Sequence, residues 1–435
     1  MRILLVQPRV SAEPAYPLAL AALIPLLVQD GHEVSGLDLV FDDESELLHQ
    51  ARAGAFDWVG ATVLHHNADG VMPWMRALQS IRSVRTFVAG AFPTLDPLGA
   101  IARTGADFAV VGPPELTVPA MIASPTPGTI AGVVNPAHPA IEWPQHVPLT
   151  ALPLPDRDVF PVEQYSYAMR STALPYAQVY TSRGCFRACA YCPVPALRPE
   201  RFDPRSPTQV VDEWENLVTE FGVKSIHVED DSFLADKHRV HAICTALIDR
   251  GLRVNWELVN GIRVDQVDRV LLNRMGEAGC VRIVYSIEHL NPPRHPGLGH
   301  TIDEARAAVT WARDAGMRVG AYFIVGMPGV GPSRTLHSIR LSLDLGLDDA
   351  NWVPFYETPG SGYAGAGTSV DTATISRATA TRLAKVAHLA FFAQPRSFGR
   401  LASEMVATPA TLPAMAGKAI ELIRAGGPIP MRDTP

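Results

Sequence analysis

Three of the five cysteines, Cys185, Cys189 and Cys192, fall within a single short stretch, residues 181–192 (TSRGCFRACAYC). Three thiolates on one loop suit an iron–sulfur cluster with one iron left open. Such clusters are ordinarily held by four thiolates, so a missing fourth frees a position for a small chelating ligand. The competing readings are a zinc site and three unrelated thiols. A closed zinc site takes a fourth ligand, commonly from a second C-x-x-C pair or from histidines, and neither follows this stretch. The spacing therefore favours a [4Fe-4S] cluster on Cys185, Cys189 and Cys192. The remaining thiols, Cys244 in a helical pattern and Cys280 ahead of an apolar run, read as ordinary buried cysteines.

A loop with that task needs a frame, and the chain can build one. At 435 residues and 47% hydrophobic content it exceeds one ordinary domain and has material for two or three cores. A net charge of −7 leaves no basic footprint for nucleic acid. The excess of arginine over lysine reads as a GC-rich genome rather than a binding surface. The apolar run at residues 2–7 is too short for a signal peptide, and the one at 16–28, about thirteen residues, is too short to span a membrane. Cysteines without a disulfide pattern suit a reducing compartment. A cytoplasmic, monomeric protein without a membrane or nucleic-acid partner is expected.

Periodicity sketches the frame. Strands fit at 2–7, 34–40, 58–64, 86–89 and 108–111, with helical stretches between them, the first at 17–30. This alternation predicts an α/β domain over 1–124, a doubly wound Rossmann-like parallel sheet with ligands at the carboxyl ends of its strands. No G-x-G-x-x-G follows the first strand, which disfavours a dinucleotide. Gly90 and Gly112, just past the fourth and fifth strands, let backbone approach a large ligand closely. Residues 125–175 are proline-rich and read as a linker. Alternation restarts at 178, with strands at 178–182, 224–229, 254–259, 281–287, 318–325 and 351–355. Helices fit at 207–221, 236–250, 265–278, 302–315 and 332–346. Six such units predict a partial (β/α)6 TIM-type barrel over 176–370, its site at the carboxyl ends of the strands. The cysteine loop follows the first of these strands. Residues 371–435 read as a small helical cap with a frayed end.

The cysteine loop, preceded by Ser182, Arg183 and Gly184 and carrying Tyr191 before its last cysteine, resembles that of the radical S-adenosylmethionine (SAM) enzymes. The first domain resembles the cobalamin-binding domain that precedes the radical core in one subfamily. That resemblance rests on Pro17 and Leu18, on Gly31, His32, Glu33 and Val34, on Asp38, and on two strand-end loops. In relatives those loops often read GGxHPT and GEGE. Here Gly90, Pro93 and Thr94 in one, and Gly112 and Glu115 in the other, keep part of the pattern, while Ala89, Phe92, Pro113 and Pro114 depart from it. The D-x-H-x-x-G motif that ligates cobalt from below in many cobalamin proteins is absent. His65, His66 and Asn67, past the third strand, are candidates for that face; the other reading is a solvated or capping pair. Residues 152–160 resemble the proline-rich segment joining the two domains, and read as a tether.

The same resemblance implies roles at the barrel strand ends. Glu229 and Asp231, in the run that includes Asp230, either touch SAM or organise the site. Arg263, followed by Asp265, either pairs with the SAM carboxylate or caps the next helix. Glu288 holds the SAM amino group or reaches the cluster itself, although His289, Leu290 and Asn291 replace the usual small residues after it. Tyr322 points to substrate or packs in the core, and Tyr356 with Thr358, Pro359 and Gly360 shapes the substrate mouth. As a whole the chain is identified as a cobalamin-dependent radical SAM enzyme, methyltransferase-like. The expected cofactors are a [4Fe-4S] cluster, SAM and cobalamin, with an external electron donor of flavodoxin or ferredoxin type. The expected reaction moves a methyl group from SAM via methylcobalamin to an unactivated carbon of a small natural-product intermediate. Two alternatives stand beside it. One is a different outcome on the same cofactors: rearrangement, cyclisation or non-radical methyl transfer. The other is a non-catalytic cluster- and cobalamin-binding sensor.

Overall fold

The computed structural model describes residues 1–9, 15–81, 83–165, 173–199, 202–290, 300–363, 375–395, 397 and 399. It forms two compact units, Met1–Tyr167 and Ala168–Arg432. In the first, strands β1 (Arg2–Gln7), β2 (Glu33–Asp38), β3 (Trp58–Thr62), β4 (Arg85–Ala89) and β5 (Phe108–Val110) form a parallel sheet in the order β2-β1-β3-β4-β5. The apolar runs are buried on both faces, as parallel strands covered by helices require. The helices are α1 (Leu18–Gln29), α2 (Glu44–Arg52), α3 (Ala68–Gln79), α4 (Ala91–Leu95), α5 (Pro97–Thr104) and α6 (Pro114–Ala123). Strand order reverses between β1 and β3. In doubly wound sheets the ligand crevice opens at that reversal, beyond the carboxyl ends of the strands.

The proline-rich segment is more than a tether. Val133–Val134 forms β6, which pairs antiparallel with β5 and closes the sheet edge. Farther on, Leu149, Phe160, Val162 and Tyr165 are buried. Phe160 lies where a side chain on Gly36 of β2 would stand, 2.5 Å from that Cβ position. The Tyr165 hydroxyl donates to Asp38 at 3.0 Å, and the Tyr16 hydroxyl to the Asp156 carbonyl at 3.2 Å. A two-residue edge strand among prolines carries no periodicity, which hid this packing from the sequence.

The second unit carries β7 (Tyr176–Val179), β8 (Ser182–Arg183), β9 (Asp203–Pro204), β10 (Ser225–Val228), β11 (Asn255–Ile262), β12 (Cys280–Glu288), β13 (Arg318–Val325) and β14 (Asp349–Pro354). Six of these make a parallel sheet in sequential order, β7-β10-β11-β12-β13-β14. Parallel strands in sequential order, joined by helices, are the winding of a partial barrel. Those helices are α7 (Val194–Leu197), α8 (Pro207–Thr219), α9 (Lys237–Asp249), α10 (Arg269–Glu277), α11 (Ile302–Asp314), α12 (Pro332–Leu343) and α13 (Arg377–Phe392). Near the amino ends of the strands the interior is filled by an ion ladder. His227 and Glu257 are fully buried, 3.8 Å apart, and Arg282 reaches Glu257 at 3.6 Å and Asp349 at 2.9 Å. The carboxyl ends are left for the site. Of the expected cap at 371–435, α13 packs on β14 through Phe391 against Trp352, and residues beyond 399 lie outside the described ones.

Candidate active site

The first barrel strand ends at Val179, three residues before the sequence pattern does, because the chain is gripped there. Asp230, just past β10, accepts from the Thr181 backbone N–H at 2.6 Å, the Thr181 hydroxyl at 2.5 Å and the Ser182 hydroxyl at 2.6 Å. Asp231 accepts the Gly184 N–H at 2.7 Å, and Arg239 of α9 donates to the Thr181 carbonyl at 2.6 Å. Glu229 accepts from Gln178 at 2.7 Å, and its own carbonyl takes the Asn260 amide at 2.7 Å. The β8–β9 pair then closes the loop between residues 183 and 203. Asp230 and Asp231 therefore grip the start of the cysteine loop, while Glu229 ties β7 to β11. Burial pushes the Asp230 carboxyl up while Arg239 pulls it down. Asp230→Ala would leave three donors without their buried acceptor and remove the negative charge that faces Arg239, a change that costs about 3–5 kcal/mol. We expect the melting temperature of this unit to fall by about 10 °C, read by circular dichroism.

Within the loop, the Cys192 N–H donates to the Cys189 carbonyl at 3.0 Å, so the last two cysteines share one tight turn. All three thiols are half-buried. Burial pushes Cys189 up, against the pull of Arg263, and takes Cys192 to about 12. Each of these two also feels the charge of Cys185, so the three thiols share one electrostatic neighbourhood. Among the described residues no three such groups converge on a single-ion site. Tetrahedral zinc holds thiolates to one metal at about 2.3 Å, whereas a cluster offers each thiolate its own iron. The donor set and its spacing fit the cluster.

Glu288 closes β12 opposite this loop. Its φ of 59° is the only left-handed value of a non-glycine among the described residues. The ladder with β13 slips between Ser286 and Glu288, and the carboxylate is turned toward Tyr191. Such a backbone costs about 1–3 kcal/mol and persists only where the surroundings impose it. Oε1 accepts the Tyr191 hydroxyl at 3.3 Å and the Ser286 hydroxyl. Oε2 is buried with no hydrogen-bond partner. Burial pushes this carboxyl up to about 7, with Ser286, Tyr191 and Arg263 acting against it. An orphaned, buried carboxylate oxygen beside the cysteine loop fits a ligand that brings a cationic donor, as the SAM ammonium does.

Arg263 forks its guanidinium onto Asp265, through Nε at 3.1 Å and Nη2 at 3.0 Å. Tyr322 donates its hydroxyl to the Val259 carbonyl at 3.1 Å, which ties it to the frame. The sequence reading missed Ser286, Arg187 and His300. Arg187 of the cysteine loop lies 3.3 Å from Asp265. The His300 Nε2 is buried without a hydrogen bond, and burial holds that ring near 4. Only the position of Arg187 between two cysteines gave any signal.

In the first unit, Gly90 has φ 113°, and a Cβ there would stand 2.9 Å from the Val63 carbonyl. Thr94 ties the two strand-end loops together, its hydroxyl donating to the Gly90 carbonyl at 2.8 Å and accepting the Gly112 N–H at 3.1 Å. Pro93 is buried beside it, and Glu115 is buried in the first turn of α6. His65 is exposed: its carbonyl accepts from Arg103 at 3.0 Å and its ring meets Phe92 edge-on at 4.9 Å. At the carboxyl end of β3, beside the order reversal, the Thr62 hydroxyl and the Asn67 amide nitrogen are buried without partners. Polar groups orphaned at this crevice fit a large amide-bearing cofactor such as cobalamin.

Known proteins bear on both sites. The family model described as the B12 binding domain matches residues 9–122, and the one described as the Radical SAM superfamily matches 179–341. An uncharacterized methyltransferase of Pyrococcus horikoshii is 25% identical over 389 residues, covering 83% of this chain and 82% of its own. The cytidylyl-2-hydroxyethylphosphonate methyltransferase of Streptomyces wedmorensis is 27% identical over 195 residues, 41% of this chain and 35% of its own. Among solved structures, the radical SAM methyltransferase TsrM of Kitasatospora setae, with tryptophan substrate and a SAM analog bound, superposes with a TM-score of 0.67. It is 20% identical and covers 83% of this chain and 75% of its own, a likeness of fold. Carrying a B12-binding domain ahead of a radical SAM core, the chain belongs to the cobalamin-dependent radical SAM enzymes, with a [4Fe-4S] cluster, SAM and cobalamin as cofactors.

Proposed function

We propose that this enzyme moves a methyl group from SAM, by way of cobalamin, to an unactivated carbon of a small natural-product intermediate. The observation that carries the reading is Glu288, a buried carboxylate with one orphaned oxygen beside three cysteines on one loop. The methyltransferase relatives support the outcome. When bound, the cluster and SAM supply one-electron chemistry, and cobalamin supplies a methyl carrier. The chain's own part is positional. Cys185, Cys189 and Cys192 hold the cluster, while Asp230 and Asp231 keep their loop in place. Glu288, oriented through Oε1 by Tyr191 and Ser286, presents Oε2 to the SAM ammonium. In the first unit, Thr62 and Asn67 offer polar atoms toward the cobalamin side chains, across a backbone opened by Gly90 and Gly112.

An electron donor of flavodoxin or ferredoxin type, a monomeric state and a cytoplasmic location belong to the same proposal. Among the described residues no helix is long and apolar enough to cross a membrane. The test is anaerobic reconstitution, then incubation with methyl-labelled SAM, a reductant and candidate intermediates. Label in the product together with 5′-deoxyadenosine is the expected result. Label without 5′-deoxyadenosine would mean polar methyl transfer. 5′-Deoxyadenosine without label would mean rearrangement or cyclisation. A reconstituted protein with neither would be a binding protein.

A further inference from the structure

Asp265 has a place in the second unit that its role as a helix-side partner of Arg263 does not use up. It sits in a 3₁₀ turn just past β11, Val264–Gln266, and receives two guanidiniums from different elements. Arg263, at the end of β11, forks onto both of its oxygens at 3.1 and 3.0 Å. Arg187, between Cys185 and Cys189, reaches the same carboxylate at 3.3 Å. One carboxylate thus joins the barrel wall to the middle of the cysteine loop. The anchors described above hold the loop at residues 181–184. Arg187 lies beyond them, between the first two cysteines, where the backbone has no ladder of its own.

Charge gives the arrangement its direction. Two guanidiniums on one carboxylate leave a positive charge over, and both Arg263 and Arg187 act on Cys189, each favouring its thiolate. Without Asp265 the two cations would repel each other across the loop. The more exposed Arg187 would then swing into solvent, taking with it a contact that holds the loop in its cluster-binding shape. Arg187 and Asp265 are about one-third exposed and Arg263 less so. The pair is therefore stronger than a fully solvated ion pair and weaker than a buried one.

We propose that Asp265 is a positioning residue that latches the cluster loop to the end of β11 through Arg187, and so controls how fast the bound cluster is lost. The inference rests on the cluster assignment, and the experiment separates the two. The reconstituted full chain is challenged with a ferrous chelator under anaerobic conditions, and loss of the cluster's visible absorption is followed. If the unmutated protein takes up no cluster, the assignment itself fails. If it does, Asp265→Asn should lose the cluster about three- to tenfold faster, the factor expected for a partly buried charged pair. Arg187→Gln should match it, and the double variant should be no faster than either single one, since both remove the same link. Asp265→Glu should recover most of the slow rate. Unchanged loss rates in the single variants, or rates that multiply in the double variant, would overturn the proposal. Should Asp265→Asn fail to load, Arg187→Gln decides alone: a loss rate equal to that of the unmutated chain refutes the latch. The melting temperature of the cluster-free variants, unchanged under this proposal, exposes a general loss of structure.

Discussion

Cys189→Ala is expected to abolish the cluster while leaving the fold standing. The loop offers three thiolates and no spare: Cys244 is buried in α9 and Cys280 opens β12 deep in the sheet. Iron and sulfide per chain should fall to background after reconstitution. 5′-Deoxyadenosine formation should drop by more than the roughly 10–100-fold typical of losing an outer-shell partner. Cys189 is half-buried, so the cluster-free melting temperature should move by no more than a few degrees. Cys244→Ala, which also removes a thiol, should keep its iron. The same thiols make loading pH-dependent. Iron binds thiolate, not thiol, and burial holds Cys192 protonated up to about 12. Its thiolate fraction therefore rises about tenfold per pH unit below that value, and reconstitution should run faster at pH 9 than at pH 7. Full iron in Cys189→Ala, or loading that slows with rising pH, would contradict the ligand assignment.

The parts of this molecule legible in the sequence are those where one physical requirement acts on consecutive residues. Apolar runs such as residues 3–6 and 319–325 specify strands buried on both faces, and the strand–helix alternation specifies the winding of both sheets. The cysteine spacing specifies the cluster because three thiolates must come from one loop. Contacts joining residues far apart in the chain left no such trace. The link from Arg187 to Asp265, the Tyr165 hydroxyl on Asp38 and the packing of Phe160 over Gly36 each span tens of residues or more. The acidic run at 229–231 shows the limit from the other side. Its residue types suited either a ligand or an anchor, and only the folded positions of Thr181, Ser182 and Gly184 show that Asp230 and Asp231 hold the loop. Arg263 suited either a ligand carboxylate or a cap for the next helix, and no sign in the sequence showed that its guanidinium would fork onto Asp265, two residues on.

Glu288 should give the unmutated, cluster-free protein a stability that falls as pH rises from about 5 to 7. The folded chain holds this proton up to about 7 because its carboxyl is buried, whereas the unfolded chain releases it near the ordinary value of 4.5. Between those values the folded state binds more protons than the unfolded one, so each step up in pH favours unfolding. The full separation corresponds to about 3 kcal/mol, or roughly 6–12 °C in a unit of this size. Glu288→Gln keeps the shape, carries no titrating proton, and should flatten that dependence while melting higher at pH 8. Ligand binding should run with the opposite sign. An ammonium against Oε2 stabilises the ionised carboxylate, so SAM binding expels the proton and tightens as pH rises through the same window. Glu288→Gln should lose that rise, and about 10–100-fold in SAM affinity at pH 8, the worth of one buried charge-assisted hydrogen bond. One substitution thus stabilises the empty protein and weakens the loaded one, the pattern expected where a strained, orphaned carboxylate is kept for its ligand. Melting and equilibrium binding at pH 5 and 8 read both effects. A flat melting profile for the unmutated protein, or SAM affinity that still climbs with pH in Glu288→Gln, would remove Glu288 from this role.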